Sequence, residues 1–339
     1  MRAVQVEAPG KVHVIDVPMP TAGPGEVLLK TLVVGMCGTD LSTFRGKNPL
    51  VSYPRIPGHE IAAEIVSVGS DVPDHMVPGT KVTLSPYTSC GKCASCLRGR
   101  VNACQFNQTL GVQREGAMKE YFTAPWQKIY IAEGLSVAEL SLVEPLSVGF
   151  HAAARGRVTK ADTVAVMGCG VVGLGAIASS AFRGARVIAM DIDDRKLAVA
   201  RQAGATEILN TKNVDVHEAL SGLTNGLGPD VIIEAVGTPA TFRLAVDEVA
   251  YTGRVVYIGY AKEPVEYETR LFVLKELDIL GSRNALNEFG EVIEAMRSGT
   301  FPVEALISKV VSPEEIGAVL QHWSDEPGAY VKVQVSFSL

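Results

Sequence analysis

The sequence predicts a two-domain α/β protein, in which a β-rich domain is followed by a doubly wound domain built on a parallel sheet. Its 339 residues suffice for two domains at roughly 150 residues each, large enough to bury their own cores. Up to about residue 145 the chain is dense in glycine and proline and carries short β-branched runs, which are typical of irregular β structure. From about residue 155, apolar strands alternate with helical stretches, which predicts parallel strands joined by crossover helices.

Apolar runs locate the individual elements along the chain. In the β-rich domain, strands are expected at residues 27–34, 61–68 and 81–84. The second domain is expected to contain strands at 163–167, 186–191, 231–235, 254–258 and 278–280, with helices reaching residue 183 and starting near residue 194. The last three of these strands are apolar enough to be covered on both faces, and we count six strands in the sheet. A helix near 288–298 and a β-branched tail at 330–337, which could rejoin the first domain, complete the prediction.

The composition indicates a folded protein of the reducing cytoplasm. Hydrophobic residues make up 47% of the chain and charged residues 20%, which argues against disordered and fibrous classes. The formal net charge of −6 offers no cationic field for nucleic acid or an anionic membrane, so neither partner is expected. Glu7 and Lys11 interrupt the apolar run that a secretory signal would need, which favours a cytoplasmic location. The apolar stretch 163–182 contains regularly spaced glycines and is interpreted as a strand and a helix, not as a membrane span.

A glycine fingerprint for a dinucleotide lies near the start of the second domain. Gly168, Gly170 and Gly173 form G-x-G-x-x-G between a predicted strand and a predicted helix. The first permits a tight turn, the second lets a pyrophosphate approach the backbone, and the third lets helix and strand pack closely. Asp191, at the end of the next strand, is placed to bind ribose hydroxyls and to repel a 2′-phosphate, for which Arg195 is the candidate partner. NAD is therefore favoured over NADP.

Four cysteines form a second motif, C-x2-C-x2-C-x7-C, within residues 88–106. Cys90, Cys93, Cys96 and Cys104 can close a tetrahedral zinc shell without other ligands. An iron–sulfur cluster is the competing interpretation, but Gln105 stands where the ferredoxin motif has proline, and the last spacing is too long. A closed shell leaves no open position, so this zinc is expected to stabilise a lobe and to take no part in chemistry.

Further potential metal ligands are scattered through the first domain. Cys37 lies in Gly-Met-Cys-Gly-Thr-Asp, and His59 with Glu60 lies in Ile-Pro-Gly-His-Glu. Taken singly, such residues are most often parts of a core, and Ala63 stands where a metalloprotease helix would need its second histidine. Glu144 falls in an otherwise apolar stretch, where a carboxylate needs a partner.

These motifs follow one another in an order that resembles the zinc-dependent medium-chain dehydrogenases of the sorbitol, threonine and sugar-acid branch. The resemblance covers essentially the whole chain and rests on Cys-Gly-Thr-Asp, Gly-His-Glu, the four cysteines, Glu-Pro-Leu-Ser and the glycine fingerprint. It implies a GroES-like catalytic domain at 1–150, a Rossmann NAD-binding domain at 151–282, and a C-terminal segment, 283–339, that returns to the catalytic domain. It also implies a homo-oligomer, commonly a tetramer and sometimes a dimer.

The resemblance further implies a second, catalytic zinc, and hence two zinc ions per chain. Cys37 and His59 are expected to bind it together with Glu144, Glu60 or both, leaving one position for water or substrate. A zinc ion there would acidify an alcohol so that it gives a hydride to the nicotinamide. The implied activity is that of a zinc-dependent NAD(H) oxidoreductase.

Other roles are also carried over from the family. Thr39 is expected to relay the alcohol proton, and Asp40 to be a hydrogen-bond partner of His59. Cofactor contacts are expected at Gly168, Gly170, Val171, Val172, Gly173, Asp191, Ile192, Arg195, Ala235, Val236, Ile258, Gly259, Ser282 and Arg283.

Three segments, 53–59, 111–116 and 281–285, resemble the bacterial L-galactonate 5-dehydrogenase group and its sugar-acid relatives. The chain departs from that group at Gln113 and at Gly116-Ala117, where histidine and a double glycine are usual. The implied substrate is a secondary hydroxyl of a polyol or of an aldonate such as L-galactonate, whose carboxylate an arginine fork could bind. Substrate contacts are expected at Tyr53, Arg55, Arg114, Arg283 and Asn284.

Two other function classes remain open. The chain could be an NAD-binding sensor that keeps the fold without chemistry, or an NADPH quinone reductase that needs no metal. The presence of Cys37, His59 and Glu144 favours the dehydrogenase. Metal analysis separates the three classes. The dehydrogenase should contain two zinc ions per chain, the sensor one, and the quinone reductase none.

Overall fold

The computed structural model of the protein describes residues 1–299 and 301–338. These residues form two compact units, one made of Met1–Glu144 with Val303–Leu339 and the other of Pro145–Pro302. The boundaries expected from the sequence, 150 and 282, differ from these. Residues 283–302 stay with the second unit because the helix they contain packs on the helix after the glycine fingerprint.

Strands and helices are numbered here in chain order. The strands are β1 (Arg2–Ala8), β2 (Lys11–Asp16), β3 (Glu26–Met36), β4 (Glu60–Val68), β5 (Lys81–Leu84), β6 (Tyr121–Pro125), β7 (Ile129–Ile131), β8 (Thr163–Met167), β9 (Arg186–Asp191), β10 (Glu207–Asn210), β11 (Val231–Glu234), β12 (Arg254–Tyr257), β13 (Asp278–Gly281), β14 (Ile307–Val311) and β15 (Lys332–Ser336). The α-helices are α1 (Gly38–Phe44), α2 (Ala94–Leu97), α3 (Val137–Leu140), α4 (Val143–Arg155), α5 (Val171–Phe182), α6 (Asp194–Gln202), α7 (Val216–Leu223), α8 (Pro239–Glu248), α9 (Arg270–Leu274), α10 (Glu288–Arg297), α11 (Val303–Leu306) and α12 (Ile316–Asp325).

The first unit is built on a seven-stranded sheet in the order β14-β15-β3-β4-β5-β7, with β6 also paired to β3. The tail strand β15 runs antiparallel to β3, so the predicted return of the C-terminus to the first domain is confirmed. Because β3 is antiparallel to both β4 and β15, the end of β3 meets the beginnings of β4 and β15. This end of the sheet carries the candidate metal ligands.

The second unit contains the predicted six-stranded parallel sheet, in the order β10-β9-β8-β11-β12-β13. The sixth strand, which the sequence analysis counts but does not assign to any residues, is β10. Its residues are only partly buried. The expectation that the strand at 278–280 is covered on both faces is wrong, because β13 is an edge strand that exposes Asp278, Ile279 and Gly281. The order in which the strands are added reverses between β8 and β11, with β9 and β10 on one side and β12 and β13 on the other, and this is the point where doubly wound sheets bind ligands at their carboxyl edge.

The apolar stretch 163–182 folds into β8 and α5, as the glycine spacing predicts. Among the described residues, no helix combines the length and the apolar character needed to cross a membrane.

Candidate active site

Cys37 lies at the junction of β3 and α1 and caps that helix. Its Sγ accepts a hydrogen bond from the Thr39 amide at 3.1 Å. The Asp40 carboxylate accepts one from the Cys37 amide at 3.0 Å, which completes a reciprocal capping box. Burial, followed by the charge of Asp40, raises the pKa of the Cys37 thiol, so ionisation of this sulfur requires a positive partner.

His59 and Glu60 approach Cys37 from the neighbouring strand. The Nε2 atom of His59 lies 3.1 Å from Cys37 Sγ. Ligand atoms of Cys37, His59 and Glu60 all lie within 4.8 Å of one another. Glu60 faces Gly35 across the β3–β4 pair, and a Cβ at position 35 would lie 2.1 Å from Glu60 Oε2. The structure therefore brings three of the four expected ligands together, and glycine at position 35 makes room for the carboxylate.

Glu144, the fourth expected ligand, occupies the first turn of α4 and is buried. Tyr87 donates a hydrogen bond to Glu144 Oε1, and among the described residues the group of three mutually close ligands does not include Glu144. Burial raises the pKa of the Glu144 carboxyl, although the charge of His59 opposes this rise. Burial and the charge of Glu144 also raise the pKa of Tyr87 well above its usual value, so the phenol stays protonated.

The expectation that Asp40 forms a hydrogen bond with His59 is wrong. The Asp40 carboxylate is bonded to the Cys37 amide instead. His59 Nδ1 is buried and has no hydrogen-bond partner within residues 1–299 and 301–338. Burial lowers the pKa of His59, but the charges of Cys37, Asp40 and Glu144 outweigh it and raise that pKa well above the usual value.

This donor set fits a zinc ion. Thiolate sulfur, imidazole nitrogen and carboxylate oxygen are the ligand types of catalytic zinc sites, and Cys37, His59 and the two glutamates supply one or more of each. A zinc ion would also balance the negative charge of the buried carboxylates Glu60 and Glu144, because buried charges are costly without a positive partner. Thr39 is exposed in the first turn of α1, beside the Cys37 sulfur to which its amide donates.

Two residues of this site were missed by sequence reasoning. Lys332, the first residue of β15, is 2% exposed and donates from Nζ to Glu60 Oε1 at 2.7 Å. Tyr87 is likewise buried and bonded to Glu144. A lysine inside an alternating β-branched tail was the available signal for the first, whereas nothing in the sequence around Tyr87 pairs it with a distant glutamate.

The four lobe cysteines converge on one point. Their sulfur atoms all lie within 4.8 Å of one another, and none forms a disulfide. Amides of Cys90 and Cys93 donate to the sulfurs of Cys104 and Cys90, each at 3.3 Å. A hydrogen bond with Ser95 and backbone amides lower the pKa of Cys93 to about 5, which favours the thiolate that zinc binds.

The glycine fingerprint has the expected local structure. Gly168 adopts a φ of 92° after β8, in the region that favours glycine. A Cβ at Gly173 would lie 1.8 Å from the Gly168 carbonyl oxygen, so only glycine permits this close approach of the helix to the turn. A Cβ at Gly170, the N-cap of α5, would meet nothing within 4 Å, so this backbone borders open space. Bare backbone at a helix N-terminus fits a pyrophosphate.

Asp191 is bonded to the fingerprint turn. Its Oδ2 accepts from the Cys169 amide at 2.7 Å, and its Oδ1 accepts from the Ile192 amide at 2.7 Å. A carboxylate has about four acceptor positions, so capacity for ribose hydroxyls remains. Arg195, the candidate partner for a 2′-phosphate, is paired with Asp193 at 2.9 Å.

The remaining expected cofactor residues follow four adjacent strands, β8, β11, β12 and β13, at the carboxyl edge of the sheet. Val171 and Val172 begin α5, and the others are Ala235 and Val236 after β11, Ile258 and Gly259 after β12, and Ser282 and Arg283 after β13. Sequence reasoning missed Glu234, which is fully buried at the end of β11. Its Oε1 accepts from the amides of Val236 at 2.9 Å and Gly237 at 2.7 Å, and thereby shapes the turn after β11. An acidic residue closing an apolar strand was the signal for it.

The expected substrate residues have different environments. Arg55 is buried and donates to Glu115 at 2.8 Å and to Ser52 at 2.9 Å, so its guanidinium group is engaged within the protein. Tyr53 donates to the Thr43 carbonyl. Arg114 pairs with no carboxylate in the part of the chain that the structure describes. Arg283 and Asn284 lie between β13 and α10 in the second unit.

Two family models match the chain: the alcohol dehydrogenase GroES-like domain at residues 23–133 and the zinc-binding dehydrogenase at residues 171–298. Sorbitol dehydrogenase of Bacillus subtilis is 33% identical over 342 residues, covering 99% of this chain and 97% of that protein. The chain belongs to the zinc-binding alcohol dehydrogenase family. L-galactonate-5-dehydrogenase of Escherichia coli is 31% identical to this dehydrogenase, over 86% of each chain.

Solved structures agree with the fold of this dehydrogenase. An Escherichia coli alcohol dehydrogenase complexed with NADH superposes with a TM-score of 0.91 at 30% identity, covering 99% of both chains. A zinc-binding dehydrogenase of Sinorhizobium meliloti bound to NADP superposes with a TM-score of 0.91 at 30% identity, covering 99% of this chain and 98% of that one. The predicted combination of a GroES-like and a Rossmann domain is confirmed.

Proposed function

We propose that this dehydrogenase uses zinc and NAD to oxidise a secondary hydroxyl of a polyol or a sugar acid. The observation that carries the proposal is the 3.1 Å contact between Cys37 Sγ and His59 Nε2, with Glu60 and Glu144 buried around it. Zinc bound there supplies Lewis acidity, which for water lowers the pKa from about 15.7 to about 7. The names of the sorbitol and L-galactonate relatives support a polyol or an aldonate as substrate.

The protein's own residues then hold the reactants and move the proton. Cys37 and His59, with a glutamate, bind the ion, and the exposed Thr39 hydroxyl carries the alcohol proton towards solvent. The N-terminus of α5 binds the pyrophosphate and Asp191 the ribose. Bound NAD would accept the hydride of the alcohol carbon, and the Thr39 hydroxyl would pass the alcohol proton on to solvent, so that the products are a carbonyl and NADH.

We propose NAD rather than NADP as the working cofactor. Relatives have been solved with each, so the choice depends on this chain. The Asp191 carboxylate repels a 2′-phosphate, and Arg195 is already paired with Asp193. Because the positive charge of Arg195 is already balanced by Asp193, we expect this arginine to attract the 2′-phosphate of NADP only weakly.

The test is a substrate screen on the purified protein with its metal content measured. Hexitols, pentitols and hexonates are each supplied with NAD or NADP, and NADH formation is followed by absorbance, with Cys37→Ser as the control. We expect two zinc ions per chain, turnover with NAD, and the loss of one zinc together with turnover in the control. A wild-type protein with two zinc ions and no turnover across the panel would overturn the substrate class, and one or no zinc would favour the sensor or the quinone reductase.

We also propose a homo-oligomer, a tetramer or a dimer, in a cytoplasm that keeps the lobe thiols reduced. The edge strand β13 supports assembly because it leaves Ile279 40% exposed and its backbone unpaired on one side. Val273 on α9, 83% exposed, adds apolar surface to the same unit.

A further inference from the structure

Glu234 is a fully buried residue at the carboxyl end of β11, and one of its oxygens accepts three hydrogen bonds. The donors to Oε1 are the amides of Val236 at 2.9 Å and Gly237 at 2.7 Å and the hydroxyl of Thr241 at 2.8 Å. The two amides belong to the turn after β11, and Thr241 lies in the first turn of α8. A single oxygen atom therefore fastens this turn and the start of α8 to the end of the strand.

The same residue also holds the turn after β12. The carbonyl oxygen of Glu234 accepts from the amides of Ile258 at 2.9 Å and Gly259 at 3.2 Å. A Cβ at position 259 would lie 2.5 Å from the Gly237 amide nitrogen and 2.6 Å from Glu234 Oε2, so the two turns are in contact beside the carboxylate. Within the described part of the chain, Oε2 is buried without a hydrogen-bond partner. The hold of this side chain on the turn after β11 therefore depends on Oε1.

The order of the sheet indicates which part of a dinucleotide these turns face. The fingerprint follows β8, and Asp191, the proposed ribose-binding residue, ends β9. Strands β9 and β11 lie on opposite sides of β8, and a Cβ at Gly168 would lie 2.8 Å from Val236 Cγ2. A dinucleotide extends across the sheet edge in both directions from its pyrophosphate. With the adenosine half over β9, the nicotinamide half is expected beside the turns that follow β11 and β12.

We propose that Glu234 is a positioning residue for the nicotinamide half of the cofactor, because its carboxylate fixes the turn after β11 against the turn after β12. This inference rests on the proposed NAD site. The groups proposed to bind the adenosine half, Asp191 and the N-terminus of α5, make no hydrogen bond to the Glu234 side chain within the described residues. Loss of the Glu234 carboxylate should therefore weaken the binding of NADH and spare that of ADP-ribose, which lacks nicotinamide.

The experiment measures the binding of NADH and of ADP-ribose to the purified protein by isothermal titration calorimetry, with no alcohol present. We expect the Kd of Glu234→Ala for NADH to rise about tenfold or more, as when one hydrogen bond to a charged acceptor is lost. Its Kd for ADP-ribose should stay close to the wild-type value. Glu234→Gln should recover most of the NADH affinity, because its amide oxygen can accept in place of Oε1.

Asp230→Ala is the matched control. Asp230 comes directly before β11, and its Oδ2 accepts from the Thr163 amide at 2.7 Å. This variant also removes a carboxylate that binds a backbone amide, but at the opposite end of the same strand. It should leave the ratio of the two dissociation constants unchanged.

Equal weakening of NADH and ADP-ribose in Glu234→Ala, or wild-type affinity for NADH, would overturn the proposal. A Glu234→Gln variant no better than Glu234→Ala would also contradict it. If Glu234→Ala does not fold, Glu234→Asp replaces it, because a carboxylate shortened by one methylene keeps its charge and is withdrawn from the turn. A selective loss of NADH affinity in that variant supports the proposal, and an equal loss or none contradicts it.

Failure of the proposed function gives a different result. A wild-type protein that oxidises no polyol or sugar acid would contradict the proposed substrate class and would leave the binding measurements intact. A wild-type protein that binds neither NADH nor ADP-ribose would contradict the NAD site and, with it, the role of Glu234.

Discussion

Gly35 has no side chain, and this absence determines where the Glu60 carboxylate lies. The side chain of Glu60 crosses β3 at Gly35, so any Cβ there would occupy the position of a carboxylate oxygen. A backbone position in one strand thereby controls an ion pair between the two neighbouring strands. Similar control operates at Asp191, where one carboxylate anchors the fingerprint turn and is also the group that we propose binds the ribose.

Gly35→Ala should displace Glu60 from Lys332, because the new Cβ would lie 2.1 Å from Glu60 Oε2. Overpacking of this kind costs about 1–3 kcal/mol of unfolding free energy. We expect a lower midpoint in urea and an altered visible spectrum of the cobalt(II)-substituted protein. Gly38→Ala is the control, since a Cβ there meets nothing within 4 Å. Equal behaviour of the two variants would contradict this role of Gly35.

Asp191→Asn should weaken NAD binding and reduce the preference over NADP. Hydrogen bonds to a charged acceptor are worth about 1.5–3 kcal/mol, so the KM for NAD should rise about tenfold or more. The KM for NADP should change less, because the repulsion of its phosphate is removed at the same time. Steady-state kinetics with both cofactors measure this, and Asp194→Asn, in the first turn of α6, is the control. An unchanged NAD-to-NADP ratio would count against Asp191.

At the element scale, a buried hydrogen bond joins His151 of α4 to Glu288 of α10. His151 Nδ1 lies 2.8 Å from Glu288 Oε1, with side chains 4% and 8% exposed. Glu288 Oε2 also accepts from the amides of Leu286 at 2.6 Å and Asn287 at 3.0 Å. This carboxylate therefore orders the segment between β13 and α10, which carries the expected contacts Arg283 and Asn284.

Glu288→Gln should make the protein less stable at neutral pH and less sensitive to acid. Burial alone would raise the pKa of Glu288, but the hydrogen bond and charge of His151 and backbone amides lower it below the ordinary 4.5. A lowered folded-state pKa gives stability that is complete above the unfolded value and is lost as the pH falls through the folded value. The variant should lose about 2 kcal/mol at pH 7 and show a flatter pH dependence below about 4.5. Denaturant titrations from pH 7 to pH 3 test this, with the exposed Glu291→Gln as the control, and parallel pH curves would contradict it.

The four-cysteine lobe is an element whose stability should depend on its metal. Its helix α2 has only four residues, none of them buried, so packing alone cannot hold it. Cys93→Ser should reduce the zinc content from two ions to one and lower the melting temperature by several degrees. Cys169→Ser, which changes the cysteine outside both clusters, should keep both ions. Full zinc content in Cys93→Ser would contradict the assignment.

At the scale of the whole molecule, the exposed edge of the second sheet predicts association between copies. Strand β13 can pair with the same strand of another copy, since only β12 occupies its other side. Ile279→Lys places a charge on that edge and should shift the protein to monomers in light scattering after size exclusion. Leu227→Lys, at a residue 75% exposed in a turn, is the control. A wild-type monomer would overturn the proposed assembly.

The sequence by itself determined the two fold types, the strands of the Rossmann sheet apart from β10, and every motif with local spacing. The fingerprint and the four cysteines could be predicted because their ligands lie within a few residues of one another, so spacing alone constrains their geometry. Cys37 and His59 were also identified, but their meeting depends on the antiparallel pairing of β3 and β4, which spacing does not encode.

Only the tertiary structure decided which charged groups share an interior. Lys332 meets Glu60 across 272 positions of sequence, and Tyr87 meets Glu144 across 57. Arg55 is bonded to Glu115 across 60 positions, a partner that no pattern in the sequence indicates. Local patterns carry the periodicity of strands and helices, whereas the partners of buried charges follow from sheet order and register, which long-range packing sets.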